Sequence, residues 1–286
     1  MEYLSRLNAS IDYLEKNIED KLNIDEVAKM ALTSKFHFQR MFHMVTGVSV
    51  AEYVRRRRLT LAAQKLATSD VKVIDVALKY GYQTPESFSK AFSKMHGINP
   101  SEVRGQGMDL KAYPRLSFHI QIKGEAVMNY RIVEKEGFKV VGQSKLVTTK
   151  EGKNFEIIPK FWDEVNSNGV CRELESRVGE MGILGICMDF CHEKDEFTYV
   201  VAAEKLNGDV PNHMIEKEIP ASTWAVFESI GPMPTAIQDV IKRIYSEWFP
   251  ATGYEHAGGP ELEVYLPGNP NDPNYKCEVW VPINKK

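Results

Sequence analysis

The sequence predicts a multidomain chain. An all-α N-terminal domain with two helix–turn–helix units is followed by an α+β C-terminal domain of two strand–helix–strand–strand modules. Three observations predict this. A helix–turn–helix pattern recurs about 50 residues apart in the first hundred residues. Past residue 126 the apolar period changes from that of a helix to the alternation of strands. Within that second part, the order strand, helix, strand, strand occurs twice.

The 286 residues suit two domains, and 43% hydrophobic content is ample for their cores. No apolar run approaches the roughly 20 residues that span a bilayer. The opening MEYLSRLNASIDYLEKNIED is a charged amphipathic helix without the apolar core of a signal peptide. These features predict a cytoplasmic chain with no membrane partner. Four cysteines in a chain of this size make no disulfide framework, which agrees. Residues 1–110 carry 16 Lys and Arg against 13 Asp and Glu, whereas residues 111–286 carry 20 against 26. A basic first part suits an anionic partner, and an acidic second part a cationic one.

Leu4, Leu7, Ile11, Leu14, Ile18 and Leu22 trace a stripe along the first helix. Asn23 followed by Glu26 forms a capping-box pattern opening IDEVAKMAL, which buries Val27, Ala28 and Ala31. Ser34 then caps KFHFQRMFHMV, where Phe38, Met41, Phe42 and Val45 recur at helical spacing before Gly47. A long helix over about residues 50–68 turns Leu59, Ala62, Ala63 and Leu66 inward and carries Arg55 to Arg58. Those arginines read either as a solvated charged face or, for one or two of them, as phosphate contacts.

The second copy follows. Val76 and Ala77 repeat Val27 and Ala28 at an offset of 49; Phe88, Phe92 and Gly97 repeat Phe38, Phe42 and Gly47 at 50. The one-residue change falls in the turn between paired helices, where insertion is tolerated. Thr84 is the predicted N-cap and Pro85 the first helical residue. The outer face presents Glu86, Ser87, Ser89, Lys90 and Lys94, small, polar and basic, as a DNA-reading helix requires.

IDEVAKMALTSKFHFQRMF, Tyr53 followed by Arg58-Leu59 and Ala62, and the GINPSEVR tail carry a resemblance over residues 5–104. The chain here resembles AraC/XylS-type DNA-binding domains. That resemblance implies two units entering successive major grooves of double-stranded DNA, ~34 Å apart. Mapped onto it, the first reading helix presents Phe36, His37, Gln39, Arg40 and His43, and the second Glu86, Ser87, Ser89 and Lys90. Arg40 suits guanine, Gln39 adenine and Phe36 a thymine methyl. His37 and His43, at i and i+6, lie on opposite sides of the helix and suit phosphate or solvent better than a metal. Lys90 stands where relatives often carry arginine, and Glu86 repels phosphate unless it meets a cytosine amino group. The first helix is therefore expected to discriminate bases and the second to position.

Gly105, Gly107, Pro114 and Gly124 bracket an irregular connector with one short strand around residues 116–122. The predicted divisions are a DNA-binding domain at 1–107, a linker at 108–126 and a small-molecule-binding domain at 127–286. Beyond the linker, NYRIV, FKVVGQSKLV, MGILGICMDF and FTYVVAAEK read as strands around the helix IPKFWDEVNS. STWAVFESIG, a helix over 234–248, ELEVYLP and KCEVWVPI repeat that order. Helices cover one sheet face in such a fold. Alternation puts Leu262, Val264 and Leu266 on one face of the penultimate strand and Glu261, Glu263 and Tyr265 on the other. In the last strand Cys277, Val279 and Val281 oppose Lys276, Glu278 and Trp280. Packing the aliphatic faces on the helices is expected to gather Glu263, Tyr265, Glu278 and Trp280 on an open far side. There, acids among aromatic rings suit an amphipathic cation.

The repeated modules, FKVVG, IPKFWDEV, ELEVYLPG and CEVWVPI make residues 128–286 resemble the GyrI-like effector-binding domain of multidrug-responsive regulators. The resemblance implies a ligand site between the modules, with Glu263 first, then Glu278 and Trp280, and Tyr265 after them; Trp224 joins them on strand alternation alone. It implies a transcription regulator, with DNA, a small-molecule effector and RNA polymerase as partners, and not an enzyme. The alternative it leaves is a hydrolase of electrophilic compounds fused to a DNA-binding domain. No cofactor is expected, and no nucleophile elbow, phosphate loop or HExxH occurs. Cys187, Cys191 and His192 suggest a metal, but in a strand the two cysteines stand ~13 Å apart, too far to share an ion.

Overall fold

The computed structural model describes residues 2–104, 109–118, 127–150, 153–176, 179, 181–191, 194–206 and 208–285, excepting the side chains of residues 2–4 and 155. The side chain of Leu4, residues 119–122 of the predicted connector strand and His192 lie outside the described residues. Residues 116–118 form no strand. Among the described residues no helix is long and apolar enough to cross a membrane. Contacts divide the chain into two compact units, residues 1–38 with 50–122, and residues 39–49 with 123–286.

The first unit holds α1 (Glu2–Lys16), α2 (Ile24–Met30), the start of α3 (Lys35–Thr46), α4 (Val50–Thr68), α5 (Val73–Lys79) and α6 (Pro85–His96). Its caps follow from local chemistry. Asn23 Oδ1 accepts from the Asp25 amide at 3.0 Å, while Glu26 pairs with Lys29 instead of completing the capping box. Ser34 Oγ accepts from the His37 amide at 3.2 Å, and Thr84 Oγ1 from that of Ser87 at 3.2 Å. Gly97 ends α6 with φ +83°, a left-handed conformation that glycine adopts without a Cβ clash. The core of the second copy gathers Leu59, Leu66, Val76, Ala77, Tyr80, Phe88 and Phe92. The equivalent Val27, Ala28, Phe38 and Phe42 are equally buried.

All four arginines of α4 have protein partners. Arg57 pairs with Glu15 at 2.7 Å and donates to the Tyr113 carbonyl, and Arg58 donates to the Ile18 and Asp20 carbonyls. Arg55 and Arg56 pair with Glu52. Arg57 and Arg58 fasten α1, the turn that follows it and the 109–118 segment to α4. Gly81 belongs to the same arrangement: its φ is +79°, and a Cβ there would lie 2.8 Å from Arg58 Nη1.

The second unit is built on an antiparallel sheet of β1 (Tyr130–Lys135), β2 (Phe138–Thr148), β3 (Ile183–Cys191), β4 (Glu196–Glu204), β5 (Ile215–Ile219), β6 (Ser222–Ile230), β7 (Tyr254–His256), β8 (Glu261–Tyr265) and β9 (Lys276–Lys285). The order is β1-β6-β9-β8-β3-β4-β2-β5, with β7 paired to β9. The modules are β2–α7–β3–β4 and β6–α9–β8–β9, with α7 at Asn154–Ser167 and α9 at Thr235–Arg243. Equivalent strands β3 and β8 pair at the centre, so the modules are related by a pseudo-twofold. A short α8 (Val170–Glu175) follows α7, and a π-helical turn over Ile244–Trp248 follows α9. Helix α7 starts a turn earlier than expected, with Pro159 inside it.

One sheet face carries Val141, Cys187, Tyr199, Val201 and Ala203 against Phe161, Val165 and Leu174 of the helices. The other face was expected to be open, and it is not. It buries Leu184, Ile186, Val200, Trp224, Val226, Leu262, Val264 and Trp280, with Val133 and Ile215 from the two edge strands packed on the same cluster. The sheet curls until Lys135 of β1 stands 3.6 Å from Glu204 of β4. Accumulated strand twist makes an antiparallel sheet of this width curl over its own apolar face.

Candidate functional site

The reading positions of the second copy sit on a helix fixed from both ends. Glu86, Ser87 and Lys90 are exposed and Ser89 is half-buried, while Phe88 and Phe92 point inward between them. In the first copy Phe36 and Gln39 are half-buried, and His37, Arg40 and His43 are buried. Burial, with the charge of Arg40 added, depresses the His43 pKa to about 4, so its ring is neutral at physiological pH.

The β8–β9 register decides which of the expected ligand residues share a face of the sheet. Leu262 faces Trp280 and Val264 faces Glu278, while Glu263 pairs with Val279 and Tyr265 with Cys277. Directly paired residues point to the same side of a sheet. Glu263 and Tyr265 therefore share the helix-covered face, and Glu278 and Trp280 lie on the opposite, curled face with Trp224. This corrects the expectation that Glu263, Tyr265, Glu278 and Trp280 stand together. Alternation gives the parity of each strand, but matching parity between strands needs the register. Trp224 and Trp280 meet edge-on at 6.0 Å inside the apolar cluster. Glu278 accepts from Trp280 Nε1 at 2.9 Å and pairs with Arg131 at 2.8 Å.

Around Glu263 the structure assembles groups from both modules. Tyr199 Oη of β4 donates to Glu263 Oε2 at 2.6 Å, and Tyr265 Oη to the same oxygen at 2.9 Å. Trp162 Nε1 of α7 donates to Tyr199 Oη at 2.9 Å, and its ring meets Tyr265 edge-on at 4.9 Å. Burial lifts Glu263 above the usual carboxylate range, and the two phenol hydrogen bonds only partly counter it. Burial and the neighbouring Glu263 also raise both phenols well above their ordinary value, so they remain donors. Gly185 leaves the space this cluster occupies. A Cβ at that position would lie 2.3 Å from Tyr199 Oη and 2.6 Å from Glu263 Oε2. Gly185→Ala is therefore expected to cost about 1–3 kcal/mol through overpacking. Chemical denaturation of the variant measures this, and an unchanged midpoint would contradict it.

Two residues before Glu263, on the same face of β8, Glu261 is buried among polar partners. Tyr245 Oη donates to its Oε1 at 2.5 Å, and His256 Nε2 lies 3.1 Å from that oxygen. Arg40, within the 39–49 segment that belongs to this unit, donates through Nε to Oε1 at 2.7 Å and through Nη2 to Oε2. Its guanidinium carbon is 5.2 Å from the Phe190 ring centroid and 5.9 Å from that of Tyr245. Burial pushes the Glu261 carboxyl up, but the Arg40 charge and the hydrogen bonds from Arg40 and His256 hold it well below the usual carboxylate range.

Sequence reasoning missed Tyr199, Trp162, Tyr245 and His256 as neighbours of these acids. Trp162 and Tyr199 entered the sequence reading only within the helix IPKFWDEVNS and the strand FTYVVAAEK. A cavity of about 160 Å³, lined by Val141, Glu204, Lys205, Leu206 and Val210 among others, includes none of the predicted ligand residues. Among the described residues no group of three or more His, Cys, Asp or Glu side chains is placed to hold a metal ion.

Paired helix–turn–helix units followed by an aromatic-ringed carboxylate in a two-module sheet define a DNA-binding regulator with an effector-binding domain. The family model for integron-associated effector binding proteins (Cass2) matches residues 131–283, and a helix-turn-helix domain model matches 27–106. The chain belongs to the Cass2 effector-binding family, with an AraC-type helix–turn–helix domain at its N-terminal side. The transcriptional regulator Rob of Salmonella typhimurium is 25% identical over 284 residues, 96% of each chain. Regulatory protein SoxS of the same organism is 38% identical over 104 residues, 36% of this chain and 97% of SoxS. Among solved structures, SAV2435 bound to tetraphenylphosphonium is similar with a TM-score of 0.49 and 22% identity, over 55% of this chain and 94% of that one.

Proposed function

We propose that this protein is a sequence-specific DNA-binding transcription regulator whose second unit senses a small cationic or amphipathic aromatic molecule at Glu263. The observation that carries the effector reading is a partly buried carboxylate held by two phenols beside an indole, Glu263 with Tyr199, Tyr265 and Trp162. Rings supply stacking and cation–π attraction, and the carboxylate supplies the counter-charge. Glu278, Trp280 and Trp224 lie on the opposite face, so the reading rests on Glu263 and Tyr265 among the ligand residues expected from the sequence. The full-length relative Rob is named a transcriptional regulator, which favours binding over hydrolysis. RNA polymerase is the further partner that action at a promoter implies. A thermal-shift screen pairing lipophilic aromatic cations with neutral isosteres tests the sensor. Stabilisation by the cations alone is the expected result; turnover of an electrophilic compound, or no saturable ligand, would refute it.

For DNA, the reading positions are Phe36, His37, Gln39, Arg40 and His43 in the first helix and Glu86, Ser87, Ser89 and Lys90 in the second. Arg40→Ala is expected to lose about 1–3 kcal/mol of discrimination between matched and mismatched operators. Lys90→Ala is expected to weaken all duplexes alike and to reduce the salt-dependence slope by about one. Binding titrations at several salt concentrations compare them, and equal loss of sequence preference would refute the division of labour.

A further inference from the structure

We infer that Glu261, Tyr245, His256 and Phe190 form a guanidinium cage that competes with DNA for Arg40. The inference rests on the DNA-reading role proposed for Arg40. The cage has the features of a built site. Both oxygens of Glu261 take hydrogen bonds from one guanidinium, the bidentate geometry that arginine matches and lysine cannot. Tyr245 and His256 engage the remaining capacity of Oε1, and two aromatic rings stand within cation–π range of the charge. The side chains of Arg40 and Glu261 are 8% and 6% exposed, so the pair is withdrawn from solvent as well as from any base edge.

Glu261 takes Nε and Nη2 of the guanidinium and the pair is buried, so Arg40 in the cage does not reach a base edge. Any duplex that uses Arg40 must first draw it from the cage, and the apparent affinity falls by the fraction of molecules with Arg40 released. A buried arginine without a counter-ion is strongly unfavourable. Removing the Glu261 charge therefore favours release of the side chain over its retention. The hydrogen bonds to Glu263 come from Tyr199 and Tyr265, which are not in the cage, so the cage and the Glu263 cluster can be tested by separate substitutions.

The experiment uses the full chain and the tightest duplex that it recovers from a random-sequence library. Glu261→Gln keeps the side-chain volume and one acceptor but removes the charge, and is expected to raise affinity for that duplex at least fivefold. Tyr245→Phe, which removes the hydroxyl that donates to Glu261 and keeps the ring, is expected to raise it about twofold and decides the matter if Glu261→Gln does not fold. Unchanged or weaker binding by the folded variants overturns the inference while leaving the DNA-binding reading intact. Failure of the wild-type chain to recover any duplex overturns both.

Discussion

Replacing Glu263 with glutamine is expected to lower the affinity for an aromatic cation at least tenfold while raising the melting temperature of the ligand-free protein. The two effects have one cause. Burial raises the Glu263 pKa, so the folded protein holds this proton more tightly than the unfolded chain does. Unfolding free energy then falls as pH rises from the unfolded carboxylate value through the folded one. Above the folded value the wild type bears that cost in full, whereas glutamine has no charge to bury. Its carbonyl still accepts from the Tyr199 and Tyr265 hydroxyls, which keeps the local hydrogen bonds. A cation reverses the balance by supplying the missing counter-charge. Cation affinity should accordingly decline as pH falls through the raised pKa, with proton release on binding in that window. Thermal-shift series across pH, with and without the cation, read both halves. A variant that still bound the cation normally, or that melted lower than wild type without it, would refute the assignment.

Phe92→Ala is expected to destabilise the helical unit by about 3–5 kcal/mol, the cost of deleting a buried aromatic ring. Phe92 is fully buried, with its ring 5.5 Å from that of Phe88 and 4.3 Å from that of His96. These rings fix the inward face of α6 and so the direction in which Ser87 and Lys90 point. DNA affinity should therefore fall even where the variant remains folded. Chemical denaturation followed by circular dichroism, with duplex titration at a temperature where the variant is native, separates the two losses. A change under 1 kcal/mol would contradict this packing.

The aromatic stripes, capping residues and 50-residue repeat of the first hundred residues carry enough local information to specify their helices without the fold. A helix is built from contacts three and four residues apart, and the caps at Asn23, Ser34 and Thr84 are written in adjacent residues. The module order of the second unit was legible for the same reason, since each strand has its own alternation and turns. In β5 the central Lys217 of IEKEI breaks the apolar alternation, β7 has only three residues, and α8 is a turn and a half.

What only the tertiary structure decided is which face each acid occupies. Glu263 and Glu278 both look outward within their own strands, yet pairing Glu263 with Val279 and Val264 with Glu278 sends them to opposite sides of the sheet. A shift of one residue would have reversed that, and no local signal in either strand encodes it. Curling of the sheet then turned the face expected to be open into a core around Trp224 and Trp280. Likewise the Arg40 to Glu261 contact spans 221 positions in the chain, a distance at which only folding brings charges together. Sequence alone determined the class of protein and offered Glu263 as a candidate; the fold chose the neighbours of Glu263, because long-range register and curvature are properties of paired strands and not of any one of them.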